Sequence, residues 1–217
     1  MTEKKEMRSG FTTGSCAAAA SKAAAFMLLF GTEKNEISIT TPKGPVYTPE
    51  IVDIERGAGY VSCAVKKDGG DDPDATSGCL VYSKVAVVSD GTGDGPSVMI
   101  DGGKGVGRVT KPGLDQPIGN AAINHVPREM ITKEVLEVCS AADFNGRLSV
   151  TISVPEGERI AVKTFNPRLG IVGGISIIGT SGIVEDAYPK MLLARTRNPV
   201  YDNEGIHIVD IAQWLMG

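Results

Sequence analysis

Aromatic residues and histidines are scarce in this sequence. Phe, Trp and Tyr make up 5% of the 217 residues, and there are two histidines, His125 and His207. Single-stranded nucleic acids are bound by aromatic side chains on which the bases stack, and duplex DNA is bound by a positively charged surface. Because the chain has few aromatics and a net charge of −4, we expect no nucleic-acid partner. Two histidines are also too few for a histidine-rich metal centre, and no metal site is predicted.

Closely spaced cysteines and long apolar runs are absent from the sequence as well. The four cysteines are widely separated and lack C-x-x-C spacing, which predicts reduced thiols in a cytoplasmic protein rather than a zinc site or a disulfide framework. The sequence has no run of about 18 apolar residues, so no membrane span is predicted. An alanine-rich run near the N-terminus imitates a secretory signal, but Lys22 interrupts it and no small-residue cleavage site follows.

Glycine, in contrast, is abundant, with 27 residues. The first glycine-rich stretch, GFTTGSC at 10–16, places Thr12 and Thr13 ahead of an alanine-rich segment that predicts a helix over residues 17–30. Gly31 is suited to ending this helix. A loop rich in glycine and hydroxyl groups that leads into a helix N-terminus can bind an anion, and an ordinary helix cap is the alternative interpretation.

Short segments in which apolar and polar residues alternate predict β-strands. They lie at 36–41, 46–54, 60–66, 79–89, 97–101 and 147–155, and a short apolar strand is predicted at 175–178. Residues 130–142 have the spacing of an amphipathic helix, and weaker helical patterns follow at 185–197 and 204–216. The predicted fold class is α+β: a mixed β-sheet of about seven strands packed by an Ala-rich N-terminal helix and a second amphipathic helix, with long Gly/Pro-rich loops.

Two further glycine-rich loops carry charged residues. The first, GGDDPD at 69–74, contains Asp72 and Asp74, and carboxylates this close together can hold a divalent cation or accept hydrogen bonds from a ligand. Surface turns are the more common use of such residues. The second loop, GGKGVGRVTKPG at 102–113, resembles a phosphate loop in composition but lacks the G-K-[ST] ending. It offers Arg108 and Lys111, and a long loop over 112–129, of the kind that tends to be functional, follows it.

A further glycine-rich segment, with five glycines, is KTFNPRLGIVGGISIIGTSGI at residues 163–183. A short strand flanked by glycine turns can direct several backbone N–H groups at a ligand oxygen, and Arg168 adds a guanidinium group beside it. A tight turn between two core strands is the alternative interpretation, because the segment has neither a G-x-G-x-x-G nor a Walker pattern.

Five blocks of the sequence occur together in one order. They are GFTTGSCAAAASKAA (10–24), GGDDPDATSG (69–78), GGKGVGRVTKPGL (102–114), AINHVPREMI (122–131) and KTFNPRLGIVGGISIIGTSGIV (163–184). With these blocks the sequence resembles the CbiD family, the cobalt-precorrin-5B C1-methyltransferases of anaerobic cobalamin biosynthesis, over roughly residues 8–185. The resemblance implies S-adenosylmethionine-dependent methylation of a cobalt-bound tetrapyrrole at ring carbon C1, with cobalt present only as part of the substrate.

The implied substrate carries many acetate and propionate carboxylates, which arginine and lysine side chains bind well. We expect substrate binding by Thr12, Thr13, Arg108, Lys111, Arg128, Lys163 and Arg168. We expect S-adenosylmethionine binding by Gly14, Gly173, Gly174, Ser176, Gly179 and Thr180. A sulfonium methyl is already activated, so the enzyme mainly aligns the two reactants. The candidate bases are Asp72, Asp74 and His125, with Asp71 and Glu129 as further candidates. The glycine-rich loops are expected to form one shared pocket.

Other functions stay open at this point. A tetrapyrrole-binding relative that lacks the donor site would keep the same basic loops, and a nucleotide-phosphate-binding enzyme would explain the glycine-rich stretches at 10–16 and 102–107. Residues 1–185 are expected to form a CbiD-like α+β domain and residues 186–217 a short C-terminal helical segment of unknown role. The expected partner is a small-molecule tetrapyrrole, with no nucleic acid and no membrane, and homo-oligomerisation is left open.

Overall fold

The computed structural model describes residues 8–70, 75–89 and 95–184. The helices are α1 (Thr13–Phe30), α2 (His125–Ala141), α3 (Gly157–Ala161) and α4 (Asn166–Leu169). The strands are β1 (Gly10–Phe11), β2 (Ile39–Thr40), β3 (Val46–Tyr47), β4 (Val52–Gly57), β5 (Tyr60–Lys66), β6 (Leu80–Ser89), β7 (Ser97–Gly102), β8 (Gly105–Val106), β9 (Arg108–Val109), β10 (Arg147–Ser153), β11 (Ile171–Val172), β12 (Gly174–Ile175) and β13 (Ile183–Val184). The helices predicted after residue 184 lie outside the described residues.

The core of the fold is a five-stranded mixed sheet in the order β4-β5-β6-β10-β7. All neighbours are antiparallel except β10 and β7, which run parallel, so that Val150 lies opposite both Val85 and Ile100. Alternate residues of β5, β6 and β10 are buried, as expected for strands with one face against a helical layer. The α+β class with a mixed sheet is confirmed. The described part of the main sheet has five strands rather than about seven, because the remaining strands form two-stranded pairs.

Helix α1 packs against β5 and β6 through its alanines, all of which are fully buried. Small side chains let the helix backbone lie close to the sheet. The helix begins at Thr13, earlier than the predicted residue 17, because the Thr12 hydroxyl caps it by accepting a hydrogen bond from the Ser15 N–H (3.2 Å). At the other end Gly31 takes a left-handed conformation with φ of 71°. By length and composition α1 could cross a membrane, but its burial inside the fold is that of a core helix.

Helices α1 and α2 run side by side in the same direction. Pro127 packs on Gly14 where both helices begin, and further along the Lys22 ammonium donates to the Glu134 carboxylate (2.7 Å). Both side chains of this ion pair are largely buried. Burial alone would lower the pKa of Lys22, but Glu134 and Glu137 outweigh this effect and raise it. The pair therefore links α1 and α2 at this level.

The four cysteines are buried and none forms a disulfide. Burial raises the pKa of the Cys63 thiol to about 12 and also raises that of Cys139.

Candidate functional site

The segment of residues 171–184, which we call the glycine seam, connects the motif blocks of the sequence. Its first part pairs with the 102–114 block: Ile171 lies opposite Val109 in an antiparallel pair, and Gly174 lies opposite Gly105 in a parallel pair. Its middle pairs with the 122–131 block, because the Ile177 N–H donates to the Ala122 carbonyl (2.8 Å).

The second part of the glycine seam contacts the start of α1. The Gly14 N–H donates to the Ile178 carbonyl (3.2 Å), and the Ser15 hydroxyl donates to the Gly182 carbonyl (2.6 Å). Strand β13 then pairs with β1. The Phe11 N–H in turn donates to the Asp68 carbonyl (2.9 Å), immediately before the 69–78 block. All five blocks are thus joined by a continuous series of contacts.

Three of the glycines expected to bind a cofactor bring parts of the chain together. A Cβ atom on Gly174 would overlap the Gly105 carbonyl, and one on Gly179 would overlap the Thr12 side chain. A Cβ on Gly14 would lie 2.9 Å from the Pro127 ring. These close approaches require glycine for packing of backbone against backbone or side chain.

The other three residues of this set have different surroundings. Gly173 has a φ of 83° and open space where a Cβ would lie. Thr180 is exposed, and the Ser176 hydroxyl lies 3.4 Å from the Asn166 amide oxygen. Gly173 and Thr180 are therefore the members of the set that face open space.

Arg128 on α2 directs its guanidinium group at backbone carbonyls. Its Nε donates to Ile123 (2.8 Å), its Nη1 to Ile100 (3.0 Å) and its Nη2 to Ala121 (3.5 Å). Partial burial lowers the pKa of Arg128, and an arginine guanidinium stays charged in proteins. The side chain thus ties the first turn of α2 to β7 and to the preceding loop.

Arg108 on β9 also contacts strand β7. It binds the Asp101 carboxylate through both terminal nitrogens (2.6 and 2.8 Å) and donates to the Gly102 carbonyl (2.9 Å). The hydrogen bonds from Arg108 lower the pKa of Asp101. Gly102 lies two residues after Ile100, so the two carbonyls point to the same side of β7. Arg108 and Arg128 thus cover the outer edge of the described sheet, since the inner edge pairs with β10.

The remaining predicted cations lie around α3 and α4, at a surface that we call the basic corner (Lys111, Lys163 and Arg168). The Lys111 ammonium donates to the Arg168 carbonyl (3.1 Å). The Arg168 guanidinium lies 5.4 Å from the centre of the Phe165 ring, a cation–π contact. Lys163 and Arg168 are both exposed, so their charged groups are accessible to a ligand.

His125 begins α2 and is paired with Asp115. One oxygen of the Asp115 carboxylate accepts the His125 backbone N–H (2.8 Å), and the other is hydrogen-bonded to the ring Nδ1. The bond to Asp115 raises the pKa of His125. Partial burial alone would raise the pKa of Asp115, but hydrogen bonds from His125 and Gln116 outweigh it and lower the pKa.

Asp115 is a site residue that the sequence does not predict, because nothing in a glycine- and proline-rich loop marks one carboxylate as the partner of a histidine ten residues later. Glu129 lies one helical turn after His125. Thr12 caps α1, and Thr13 is buried in its first turn. Asp71, Asp72 and Asp74 lie outside the described residues.

A cleft of about 750 Å³ opens beside the 69–78 block. The rings of Phe11 and Tyr47, stacked with centres 3.9 Å apart, form part of its wall. The other residues lining the cleft are Val46, Thr48, Pro49, Glu50, Val52, Lys66, Lys67, Asp68, Ser77, Gly78 and Leu80.

Comparison with known proteins identifies the family. The CbiD family model matches residues 1–186. The chain belongs to the CbiD family. It is 54% identical over 183 residues to a cobalt-precorrin-5B C(1)-methyltransferase from Thermoanaerobacter sp. (strain X514), covering 84% of this chain and 48% of that protein. A protein of the same name from Clostridium perfringens (strain 13 / Type A) is 47% identical over 94% of this chain and 55% of its own length. This last match extends beyond residue 184.

A solved structure supports the CbiD assignment. The crystal structure of a cobalamin biosynthesis protein (cbiD) from Archaeoglobus fulgidus superposes with a TM-score of 0.64 at 32% identity, covering 90% of this chain and 60% of that one. This CbiD chain spans about half the length of the curated relatives it matches.

Proposed function

We propose that this chain takes part in the C1 methylation of cobalt-precorrin-5B in cobalamin biosynthesis. The names of relatives about half identical to it support this reaction. The structural observation that carries the proposal is the glycine seam, which joins all five motif blocks in one region. A substrate-binding surface can then draw on residues that are far apart in the sequence.

The basic corner is the best candidate for recognising the carboxylates of the substrate. Lys163 and Arg168 are exposed, and charge-assisted hydrogen bonds to carboxylates are among the stronger polar interactions in proteins. Arg108 and Arg128 act differently, since they hold β7 and the start of α2 in place through carbonyl and carboxylate contacts. They shape the site while the basic corner contacts the ring substituents.

S-adenosylmethionine is the proposed methyl donor, and the open surroundings of Gly173 and Thr180 fit such a ligand. No Cβ occupies the space beside Gly173, so a ligand can approach its backbone closely. The exposed hydroxyl of Thr180 can bond to a donor carboxylate or ribose. The donor supplies an activated methyl group when bound. Gly14, Gly174 and Gly179 allow the close backbone packing around the seam. Ser176 lies between Gly173 and Thr180 in the sequence.

His125 is the proposed base. Asp72 and Asp74, outside the described residues, remain alternatives.

The four cysteines are buried and form no disulfide, which supports a reducing, cytoplasmic location.

A second candidate is a tetrapyrrole-binding role in which this chain alone does not catalyse transfer. The observation that favours it is that the chain covers about half of its relatives' length. In that case the donor site also requires the part of the relatives that this chain does not match.

Calorimetry and a methyl-transfer assay test the proposal and separate the two candidates. The chain is titrated with cobalt-precorrin-5B and with S-adenosylmethionine, and product is measured by mass spectrometry. We expect binding of both compounds and transfer of one methyl group. Binding of the tetrapyrrole with transfer only after addition of the C-terminal half of a longer relative supports the second candidate. Absence of tetrapyrrole binding to the folded chain contradicts both.

A further inference from the structure

Asp115 has two roles at the start of α2, and capping explains only one of them. Its Oδ1 accepts the His125 backbone N–H (2.8 Å), as a capping residue does. Its Oδ2 is also bonded to the Nδ1 atom of the same histidine. The Asp115 side chain is 18% exposed while that of His125 is 60% exposed. The carboxylate is thus held inside the loop and the ring projects from it.

This arrangement fixes the state of the imidazole. The Asp115 carboxylate accepts a hydrogen bond from Nδ1–H, so the neutral ring carries its hydrogen on Nδ1 and keeps the lone pair on Nε2. Within the described residues Nε2 makes no hydrogen bond. Helix N-termini disfavour a positive charge, and Asp115 offsets that effect for the protonated ring.

His125 lies at the border of the glycine seam. The Asn124 N–H donates to the Ile177 carbonyl (3.1 Å), and Pro127 packs on Gly14. The backbone on either side of His125 is therefore fixed by one contact with the seam and one with α1, while the ring itself stays exposed.

We propose that Asp115 is a positioning residue that holds His125 with Nε2 free to accept the proton released during C1 methylation. This inference rests on the proposed function. In the balanced step the acceptor carbon forms the new C–C bond with a π electron pair, and the sulfur keeps the electron pair of the broken S–C bond. The proton lost by the acceptor moves to Nε2, and the electron pair of its former bond restores the π-system.

The charges around His125 are few. Asp115 contacts it from the loop, and Glu129 on α2 adds a weaker attraction for the imidazolium. Arg128, also on α2, turns its guanidinium to backbone carbonyls. The neighbouring seam and α1 residues, Ile177 and Gly14, carry no charge. Asp115 is therefore the main determinant of the ring's protonation.

The substitution Asp115→Asn separates positioning from capping. Asparagine still accepts the His125 N–H as a helix cap but carries no charge for the ring. We expect nitrogen-resolved NMR of this chain to show Nδ1–H in the wild-type ring, a mixture of tautomers in Asp115→Asn, and a lower titration midpoint. Glu129→Gln is the matched control. It removes a nearby charge that makes no hydrogen bond to His125, so it should shift the titration midpoint of His125 less than Asp115→Asn does.

The kinetic measurement uses methyl transfer, by this chain alone or with the C-terminal half of a longer relative. We expect Asp115→Asn to move the acidic limb of the kcat profile to lower pH, and His125→Gln to remove that limb and reduce kcat about 100-fold. An unchanged tautomer and midpoint in Asp115→Asn overturn the positioning role. An unchanged profile in His125→Gln overturns the proton-acceptor role while methylation stands. Absence of transfer by the wild-type protein instead overturns the proposed function and the acceptor role with it, and the NMR result still decides the positioning.

Discussion

The glycine seam and the basic corner are neighbours in the chain but are built in opposite ways. The seam brings backbone against backbone, as at Gly174 and Gly105, and leaves no space there. The basic corner keeps Lys163 and Arg168 exposed. One sequence block thus contains residues that hold the fold together and residues that remain accessible to a ligand. Substitutions in the first group should act mainly on stability and substitutions in the second mainly on binding.

The largest expected effect distinguishes two adjacent glycines. Gly174→Ala places a methyl group on the Gly105 carbonyl, and we expect it to lower the free energy of unfolding by about 3 kcal/mol, as overpacking does. Gly173→Ala has open space but a φ of 83°, and should cost about 1 kcal/mol for the left-handed conformation. Chemical denaturation of both variants measures the difference. Equal losses would mean that the 102–114 block can move away from the seam.

Two arginines provide the next comparison. Arg128→Ala leaves the carbonyls of Ile100 and Ile123 without a donor, so we expect a loss of about 2 kcal/mol in unfolding free energy. Arg168→Ala removes an exposed side chain and should change stability by less than about 0.5 kcal/mol. Urea unfolding measures both. A loss for Arg168→Ala as large as that for Arg128→Ala would contradict the division between the two regions.

Substitutions in the basic corner, which should change stability little, should have the larger effect on substrate binding. Charge reversal in the basic corner, as in Lys163→Glu combined with Arg168→Glu, should weaken cobalt-precorrin-5B binding at least about tenfold, because even one lost charge-assisted contact costs about 1.5 kcal/mol. Calorimetry at two salt concentrations measures the affinities. The affinity of the wild-type protein should fall more steeply with salt than that of the charge-reversed variant. Charge reversal at Glu33, which is exposed, and at Lys34, which is half-buried, is the control; both residues lie beyond the end of α1. Unchanged affinity in the corner variant would place the substrate elsewhere.

The sequence predicts the elements of this fold better than it predicts how they meet. The alternation of residues 60–66 gives β5 with its observed bounds, because a strand with one buried face shows its period locally. The start of α2 at His125 was missed, because the capping carboxylate of Asp115 lies ten residues upstream. The partners of Arg128 come from a strand and a loop that are separate in sequence. An arginine that donates hydrogen bonds to backbone carbonyls therefore cannot be distinguished in the sequence from one that binds a ligand.

The smallest expected effect concerns the exposed pair at the border of the seam. Because Asp115 raises the pKa of His125 in the folded protein, the stabilisation from protonated His125 is complete below the usual histidine pKa and is lost as pH rises through the folded value. The lowered pKa of Asp115 contributes stability above the usual aspartate pKa, and this is lost as pH falls through the folded value. The pair should therefore stabilise most between these limits. Thermal unfolding across pH should show a shallow maximum there that Asp115→Asn flattens, while Gly174→Ala lowers the whole curve without changing its shape. If Asp115→Asn instead lowers the stability at every pH by the same amount, the Asp115–His125 pair contributes to stability as the packed residues of the glycine seam do. The division between packed and exposed regions would then not hold for this pair.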